Sequence, residues 1–298
     1  MVAGLDVQGI SKRYGDTVAL QDMSFTVAPG ELFGFVGSNG AGKTTTMRIA
    51  LGVLAADAGR VLLDGEPVDL QVRRRIGYMP EERGLYPKMK VGQQLAYLAR
   101  LHGLGKAEAD DAVAFWTDRL DIAGRIDDDV SDLSLGNQQR VQLAAALVHD
   151  PSVLILDEPF SGLDPVAVDV MSQVLVDKCA SGVPVIFSSH QLDLVQRLCH
   201  RVGIVSRGRM QALGGVDELR ARGAAHLVVR APAAPAGWAA GLAGVQVIEH
   251  DHGRTVLQLS ADADDQAVLA VALRTGPVHE FSTQRPSLTE LFRELVAA

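Results

Sequence analysis

The sequence contains no apolar run long enough to cross a lipid bilayer. Its longest apolar stretches, such as residues 143–148 and 153–156, are far shorter than the ~20 residues that a membrane helix needs. The opening residues MVAGLDVQG also lack the basic and apolar regions of a signal peptide. We therefore expect a chain that does not span a membrane by itself.

Cysteine and net positive charge are scarce as well. Only Cys179 and Cys199 are present, outside any CxxC or Cys/His cluster, so neither a disulfide scaffold nor a zinc site is predicted, and reduced cytosolic thiols are expected. The formal net charge of −8 argues against a protein held mainly on nucleic acid by phosphate neutralisation. The basic run Arg73-Arg74-Arg75 is interpreted as a solvated helix start.

The pattern of apolar residues predicts an α/β protein. Apolar residues make up 47% of the chain, which excludes a mainly disordered protein, and its 298 residues allow one large or two modest domains at roughly 150 residues each. From residue 5 to about residue 216, β-rich runs alternate with helical stretches, as in a domain built on a buried parallel sheet. Inner strands are predicted at 32–36, 153–156 and 185–188, and open α/β sheets bind ligands where such strands end.

Three further regions complete the predicted organisation. Residues 5–10, 17–25 and 60–63 predict a smaller antiparallel sheet, and a mostly helical block, with helices at 93–102 and 106–120, follows. The composition changes after residue 215, and the segment 231–240 (APAAPAGWAA) predicts a loop in a separate unit. That unit has strand patterns at 226–230, 245–249, 255–260 and 278–283, a helix at 264–274, and a final helix opened by a Ser287–Glu290 capping box.

The most specific motif is a glycine-rich loop between a strand and a helix. It fits the P-loop pattern G-x-x-x-x-G-K-[ST], in which backbone N–H groups and the helix start bind phosphates, Lys43 reaches the β- and γ-phosphates, and Thr44 ligates Mg²⁺. The alternative is a glycine-rich turn with an accidental Lys-Thr pair. The predicted nucleotide-binding residues here are Gly37, Ser38, Asn39, Gly40, Ala41, Gly42, Lys43, Thr44 and Thr45.

A second motif places two carboxylates at the end of the apolar strand 153–156. Asp157 is suited to hold Mg²⁺ through a water molecule, and Glu158 is suited to accept a proton from, or to orient, the water that attacks the γ-phosphate. Taken alone, an Asp-Glu pair after a strand is more often a solvated turn. A P-loop upstream in the same chain favours the catalytic interpretation.

With these motifs in this order, the first 215 or so residues resemble the nucleotide-binding subunit of an ABC transporter. The segment DLSLGNQQR at 132–140 resembles the family signature LSGGQ, with Leu135 and Asn137 in place of the usual glycine and glutamine. The resemblance implies that Ser134, Gly136 and Asn137, at the start of a helix, contact the γ-phosphate bound by another subunit. Without the resemblance, a capped helix without a ligand is the simpler interpretation.

Other segments resemble further motifs of this family. The resemblance implies that Asp164 belongs to the D-loop joining two sites, that His190 contacts the γ-phosphate and holds Glu158, and that Tyr14 stacks on adenine. Packing of Tyr14 on the small sheet is the alternative. Glu81 stands where most relatives have a glutamine; its carboxylate can still ligate metal but cannot donate a hydrogen bond.

The run 80–89 and the variant signature resemble the subgroup that energises ABC-2 type exporters, including sodium and drug exporters, and the ending PSLTELFRELV resembles their accessory domain. The resemblance implies a P-loop NTPase cassette with a RecA-like core, an antiparallel β subdomain and a helical subdomain at about 90–150. It assigns 1–218 to the cassette and 224–298 to a small α+β C-terminal domain, for which we expect a role in supporting the dimer.

The implied function is ATP binding and hydrolysis, with Mg²⁺, that powers efflux of sodium, a drug or a lipid. The implied partners are a second copy or a similar cassette, joined head to tail, and polytopic permease subunits on another chain; no nucleic acid is expected. The implied location is cytoplasmic, on the inner face of the cell membrane. Two rival interpretations are an ABC-type ATPase that acts on ribosomes or another non-membrane partner and a regulatory module without hydrolysis.

Overall fold

The computed structural model describes residues 4–82, 84–222, 226–260 and 262–297. Arg83, within the predicted run 80–89, and Ala224, the predicted start of the accessory domain, lie outside these residues. The chain divides into two compact units, Met1–Val216 and Asp217–Ala298. Within the described residues, no helix combines the length and the apolar character needed to cross a bilayer.

A six-stranded sheet forms the centre of the first unit. Five of its strands are parallel and buried, and a hairpin adds the sixth strand antiparallel at one edge. In spatial order the strands are β10 (Arg209–Gly215), β9 (Arg201–Ser206), β3 (Leu32–Gly37), β8 (Val185–Ser189), β7 (Val153–Leu156) and β6 (Ile76–Met79). The three predicted inner strands are therefore adjacent, and their carboxyl ends lie at one edge of the sheet. This arrangement confirms the predicted α/β fold.

An antiparallel sheet packs against this core, as predicted. Its strands, in spatial order, are β2 (Thr17–Val27), β1 (Leu5–Tyr14), β4 (Ala58–Leu63) and β5 (Glu66–Pro67). Phe25 of β2 stacks on Phe33 of β3, with 5.2 Å between ring centroids, a contact worth about 1 kcal/mol beyond its buried area. Strand β1 extends beyond its predicted end at residue 10 because the hairpin continues pairing as far as Tyr14 and Thr17, and β2 extends beyond residue 25 because Val27 pairs with Leu5.

Helices cover the central sheet and form the predicted helical block. Those that pack near the core are α1 (Lys43–Ala50), α2 (Leu70–Arg73), α6 (Pro165–Ala180) and α7 (Leu192–Leu198). The helical block consists of α3 (Val91–Leu101), α4 (Lys106–Arg119) and α5 (Leu135–Leu147), with short 3₁₀ turns at Ala123–Arg125 and Val130–Asp132. The arginine run 73–75 lies at the end of α2 and not at a helix start, because Asp69 caps that helix four residues earlier.

The second unit is a small α+β fold with its own core. Its elements are α8 (Val216–Arg222), β11 (His226–Arg230), β12 (Val245–Asp251), β13 (Arg254–Leu259), α9 (Asp265–Thr275), β14 (Glu280–Gln284) and α10 (Leu288–Ala297). The strands form one antiparallel sheet in the order β12-β13-β11-β14. The predicted capping box opens α10: Glu290 N–H donates to Ser287 Oγ at 3.2 Å, and Ser287 N–H donates to Glu290 Oε2 at 2.6 Å.

Candidate functional site

The glycine-rich loop turns directly from β3 into α1. Gly42 precedes the helix with φ 104°, and a Cβ there would lie 2.6 Å from Leu20 Cδ2 and 2.9 Å from the Ala19 carbonyl oxygen. Only glycine therefore fits this position. Lys43 begins the helix, is 7% exposed, and donates from Nζ to the Gly37 carbonyl at 2.7 Å. The turn thus holds a nearly buried ammonium group beside the free N–H groups of a helix start.

The two carboxylates that follow β7 are held by a serine that the sequence analysis did not identify. Ser188 Oγ donates to Asp157 Oδ1 at 2.6 Å and accepts from the Glu158 N–H at 2.8 Å. Asp157 and Glu158 are 1% and 7% exposed, so they do not form the solvated turn that was the alternative. Asp157 Oδ2 is buried and has no hydrogen-bond partner among the described residues.

The Glu158 side chain lies between two basic groups. Its Oε1 is 3.7 Å from Lys43 Nζ, and its Oε2 is 2.9 Å from His190 Nδ1. The contacts to Lys43 and His190 therefore fix the direction of a nearly buried carboxylate.

Tyr78 lies on the neighbouring strand β6. Burial is the main cause that raises the pKa of its hydroxyl group, and the nearby Asp157 charge is the second cause, so this hydroxyl stays neutral.

These groups surround a cavity of about 200 Å³. Among the described residues, no group of three or more His, Cys, Asp and Glu side chains could hold a metal ion by itself. The cavity is lined by Ala19, Ser38, Asn39, Gly40, Gly42, Lys43, Thr44, Thr45, Glu81, Asp157 and Glu158. Gly37 and Ala41 belong to the loop but not to the lining, and His190 reaches the site through Glu158.

The predicted binding residues at two helix starts, Ser134, Gly136, Asn137 and Asp164, also lie outside the lining. Ser134 is the N-cap of α5, with Oγ accepting from the Asn137 N–H at 3.4 Å, and Asp164 caps α6 by accepting from the Ala167 N–H at 2.9 Å. A Cβ at Gly136 would meet nothing closer than 3.8 Å, so packing within this chain does not require glycine there. Both helix starts are therefore capped within one copy of the chain.

The variant residue Leu135 contacts the loop that carries Asp164. A Cβ at Gly162 would lie 2.9 Å from Leu135 Cδ2, and Gly162 has φ +71°, which favours glycine. The leucine that replaces the usual glycine of the family signature thus packs over a neighbouring glycine. This contact connects the start of α5 to the turn before α6.

Tyr14 also lies outside the cavity lining. Its ring is 51% exposed at the end of the β1–β2 hairpin, and the Lys12 ammonium lies 5.9 Å from the ring centroid. The β2 strand of the same hairpin brings Ala19 to the cavity.

The segment that contains Glu81 borders two features. Glu81 lines the cavity, whereas Pro80, Gly84 and Leu85 line a second, mainly apolar groove of about 360 Å³. Gln142 of α5 holds this segment by donating from Nε2 to the Pro80 carbonyl at 2.6 Å and to the Glu82 carbonyl at 3.3 Å. We call this second feature the α5 groove. Its other lining residues are Leu51, Val53, Arg73, Ile76, Tyr78, Leu98, His102, Gln142, Ala145, Ala146 and His149.

Three buried polar atoms at the α5 groove have no hydrogen-bond partner among the described residues. Arg73 Nε, Gln142 Oε1 and His149 Nδ1 are buried and make no hydrogen bond to any described residue. His149 stacks on His102 with 3.7 Å between ring centroids, and burial, with the neighbouring His102 second, lowers its pKa to about 4. An apolar groove with unpaired polar atoms can accept both apolar and polar groups of another molecule.

Ser188, Gln142 and the histidine pair were not identified from the sequence. Ser188 immediately precedes the Ser189-His190 pair, so its position at a strand end was available as a signal. Gln142 and His149 lie within and just after a helix, where the sequence pattern carries no information about the strands that the helix covers.

Two protein-family models together match most of the chain. Residues 20–161 match the family described as ABC transporter, and residues 214–296 match the family described as ATP-binding protein DrrA1-3-like, C-terminal domain. The second match covers most of the α+β unit.

Individual relatives extend these matches over the whole chain. The ABC transporter ATP-binding protein YhaQ of Bacillus subtilis is 37% identical over 295 residues, which cover 99% of each chain. The Nod factor export ATP-binding protein I of Burkholderia pseudomallei is 40% identical over 216 residues, or 72% of this chain and 71% of that protein. The structure of cbiO1 from Clostridium perfringens, described as part of the ABC transporter complex cbiONQ, has a TM-score of 0.67 at 31% identity, covering 74% of this chain and 92% of cbiO1.

Proposed function

This chain belongs to the ABC transporter ATP-binding proteins and is an ATPase, and we propose that it powers an exporter whose pore is formed by separate membrane subunits. The cassette is assigned to residues 1–218 and the accessory domain to 224–298. The observation that carries the proposal is the cavity in which Lys43, Asp157 and Glu158 converge at the carboxyl ends of adjacent strands.

In this proposal, ATP phosphates bind at the glycine-rich loop. The N–H groups at the start of α1 and the Lys43 ammonium face the same cavity, and both favour negative charge. Lys43, now held by the Gly37 carbonyl, turns to the β- and γ-phosphates. The exposed Tyr14 offers a ring face to adenine, a contact that needs no preformed pocket.

The residues around the cavity fit Mg²⁺. Thr44, Asp157 and Glu81 supply oxygen atoms, and Asp157 Oδ2 is buried without a partner among the described residues. Proteins usually hold Mg²⁺ with one or two carboxylates and the phosphates of the substrate. When bound, Mg²⁺ neutralises charge on the β- and γ-phosphate oxygens.

Glu158 is the proposed general base. A water that attacks the γ-phosphorus loses a proton to the Glu158 carboxylate, and the bond from the γ-phosphorus to the leaving ADP oxygen breaks. His190, at 2.9 Å from Oε2, keeps the carboxylate in place and contacts the γ-phosphate. Glu158, His190 and Lys43 are thus assigned the catalytic roles.

A second copy of the chain, or a similar cassette, completes the site in this proposal. Ser134, Gly136 and Asn137 lie outside the cavity of their own chain, which agrees with a role in contacting nucleotide bound by another subunit. Within one chain there is room for a Cβ at Gly136. A close approach of the nucleotide bound by the other subunit therefore accounts better for glycine at this position. Asp164 lies in the loop that contacts Leu135, and in this proposal it connects the nucleotide sites of the two subunits.

The α5 groove is the proposed contact for the membrane subunits. The segment held by Gln142 contributes Glu81 to the nucleotide cavity and Leu85 to the groove, so movement at one is transmitted to the other. The apolar lining and the unpaired polar atoms favour a short amphipathic helix of the partner. Export is supported by the relative named for Nod factor export, and the inner face of the cell membrane is the proposed location.

The test is a purification of the tagged chain from detergent-solubilised cells. We expect a polytopic membrane protein to co-purify, whereas co-purification of ribosomes without such a protein would contradict the transporter proposal and favour the ribosome-bound alternative. Ala145→Trp, which fills the α5 groove, should abolish capture of the membrane protein and leave the ATPase activity of the isolated chain unchanged. Ala114→Trp, at an exposed position of α4, is the matched control and should retain capture.

A further inference from the structure

Asp57 contacts the hairpin tip that carries Tyr14. It directly precedes β4, whose pairing with β1 ends at Ala58. Its carboxylate reaches further along β1, because Oδ1 accepts from Lys12 Nζ at 2.7 Å and Oδ2 accepts from the Arg13 N–H at 2.8 Å. One side chain therefore holds the two residues that come before Tyr14.

The bond from the Arg13 N–H continues the sheet beyond the end of β4. Because β4 begins at Ala58, this N–H lies beyond the part of β1 that pairs with β4, and the Asp57 carboxylate takes the place of a backbone acceptor. The hydrogen bond with Lys12 is the main cause that lowers the pKa of Asp57, and the Arg13 N–H is the second cause. The carboxylate is therefore ionised at neutral pH, and hydrogen bonds to an ionised acceptor are stronger than those between neutral groups.

Lys12 connects Asp57 to the Tyr14 ring. Its ammonium group lies over the ring, 5.9 Å from the centroid, within the range of a cation–π contact. The Lys12 side chain is 15% exposed, whereas Tyr14 is 51% exposed. The ammonium group thus occupies one face of the ring, and the exposed remainder is available to a planar ligand.

The turn that follows Tyr14 contributes little to holding the ring. A Cβ at Gly15 would have no neighbouring atom within 4 Å, so this end of the hairpin is open. A side chain that is ordered only when its ligand binds weakens binding, because the lost freedom costs free energy, and contacts that order it beforehand reduce this cost. The Asp57 contacts add such order to the pairing of β1 with β2.

We propose that Asp57 is a positioning residue for the nucleotide base, which orders the hairpin tip and its ring through Lys12 and the Arg13 N–H before ATP binds, and so strengthens the stack on adenine. This inference rests on the proposed role of Tyr14. Asp57 does not line the phosphate cavity and acts only through the ring. Because every base has a π face, the same contacts strengthen the binding of any nucleoside triphosphate and do not choose between bases.

Asp57→Ala removes both contacts at once. Titration calorimetry with ATP and Mg²⁺ should show about 5-fold weaker binding, the low end of the loss that follows removal of a whole stacked aromatic ring. KM for ATP should rise by a similar factor while kcat stays unchanged, because Lys43 and Glu158 keep their contacts. Asp128→Ala, which removes an exposed ion pair with Arg125 at 3.2 Å, is the matched control and should bind ATP as the wild type does.

A double-mutant cycle with Tyr14→Ala tests whether Asp57 acts through the ring. In a chain that already carries Tyr14→Ala, Asp57→Ala should have no further effect on ATP affinity, whereas a merely structural role would give equal losses with and without the ring. Equal losses would therefore overturn the proposal. So would unchanged ATP affinity in a folded Asp57→Ala protein.

Two milder variants provide the test if Asp57→Ala does not fold. Asp57→Asn keeps an acceptor for the Arg13 N–H but loses the charge opposite Lys12, and Lys12→Met keeps an unbranched side chain beside the ring but loses the ammonium group. Each should weaken ATP binding by about 2-fold, as expected for one partner of an exposed ion pair. Stronger ATP binding in Lys12→Met would overturn the proposal, because Lys12 would then cover the face that adenine needs.

Tyr14→Ala alone separates this inference from the proposed function. If Tyr14→Ala weakens ATP binding and neither change at Asp57 does, only the role of Asp57 is wrong. If Tyr14→Ala leaves ATP affinity unchanged, the assignment of Tyr14 to adenine is wrong and the inference about Asp57 falls with it. The roles of Lys43 and Glu158 in the ATPase site are tested by their own variants.

Discussion

His190 Nδ1 lies 2.9 Å from Glu158 Oε2 and joins an exposed imidazole to a nearly buried carboxylate. The side chain of His190 is 57% exposed and that of Glu158 is 9% exposed. Because an ionised carboxylate only accepts, Nδ1 is the donor to Oε2, whereas Oε1 of the same carboxylate lies near Lys43. The contact with His190 thus keeps the Glu158 carboxylate in one direction, while the imidazole of His190 remains accessible from outside the protein.

Glu158→Gln should separate binding from hydrolysis. The amide keeps the size of the side chain but cannot take a proton from water, so steady-state ATPase activity should fall by about 10²–10⁴-fold while ATP affinity stays near that of the wild type. In the presence of ATP, the Glu158→Gln protein should then accumulate as a dimer, and light scattering after size-exclusion chromatography measures the dimer fraction. Glu66→Gln, at an exposed glutamate of β5, is the control, and full activity in Glu158→Gln would remove Glu158 from the role of base.

Lys43→Ala should weaken nucleotide binding. The ammonium group is 7% exposed and is the cation that faces the proposed phosphate site, so its loss removes a charge-assisted contact worth about 2 kcal/mol, or roughly 30-fold in affinity. Titration calorimetry with ATP and Mg²⁺ measures the effect. Lys106→Ala, at the exposed start of α4, should bind normally, and an equal affinity in both variants would contradict the role of Lys43.

His149→Phe should reduce the acid sensitivity of folding. Because burial lowers the pKa of His149 from 6.5 to about 4, the unfolded chain binds a proton between these values that the folded chain does not bind. This contribution to stability is therefore fully present above pH 6.5 and is lost as the pH falls toward 4.

Urea unfolding at pH 7 and pH 5 tests this dependence. The loss of unfolding free energy on acidification should be smaller in His149→Phe by on the order of 2 kcal/mol, because phenylalanine retains the stack on His102 but has no titrating group. His279→Phe, at an exposed position of the second unit, should lose as much stability as the wild type. Equal acid sensitivity in all three proteins would show that His149 does not contribute.

Removal of residues 224–298 tests the proposed role of the accessory domain in the dimer. The unit has a separate core around Leu227, Val229 and Leu257, so the cassette should remain folded without it. ATP-driven dimerisation of the Glu158→Gln protein should then require about 10-fold higher protein concentration, an effect equivalent to 1.4 kcal/mol. Unchanged dimerisation by analytical ultracentrifugation would exclude this role.

Much of the fold could be predicted because its patterns are local. The inner strands are apolar on both faces, and the P-loop and the Asp157-Glu158 pair follow such strands directly. The capping box of α10 depends on residues only three positions apart. The strand ends were less predictable. Strands β1 and β2 extend as far as they pair with each other, and the length of this pairing depends on both segments together.

The sequence by itself determined which groups carry the chemistry: a lysine and glycines for phosphate, carboxylates for metal and water, and a histidine after a strand. Only the tertiary structure decided how they are held. The strand order places Ser188 beside Asp157, 31 positions away in the chain, and places Gln142 beside Pro80, 62 positions away. A sequence pattern reports the local periodicity of one segment, whereas these hydrogen bonds depend on which segments become neighbours when the sheet and the helical block pack together.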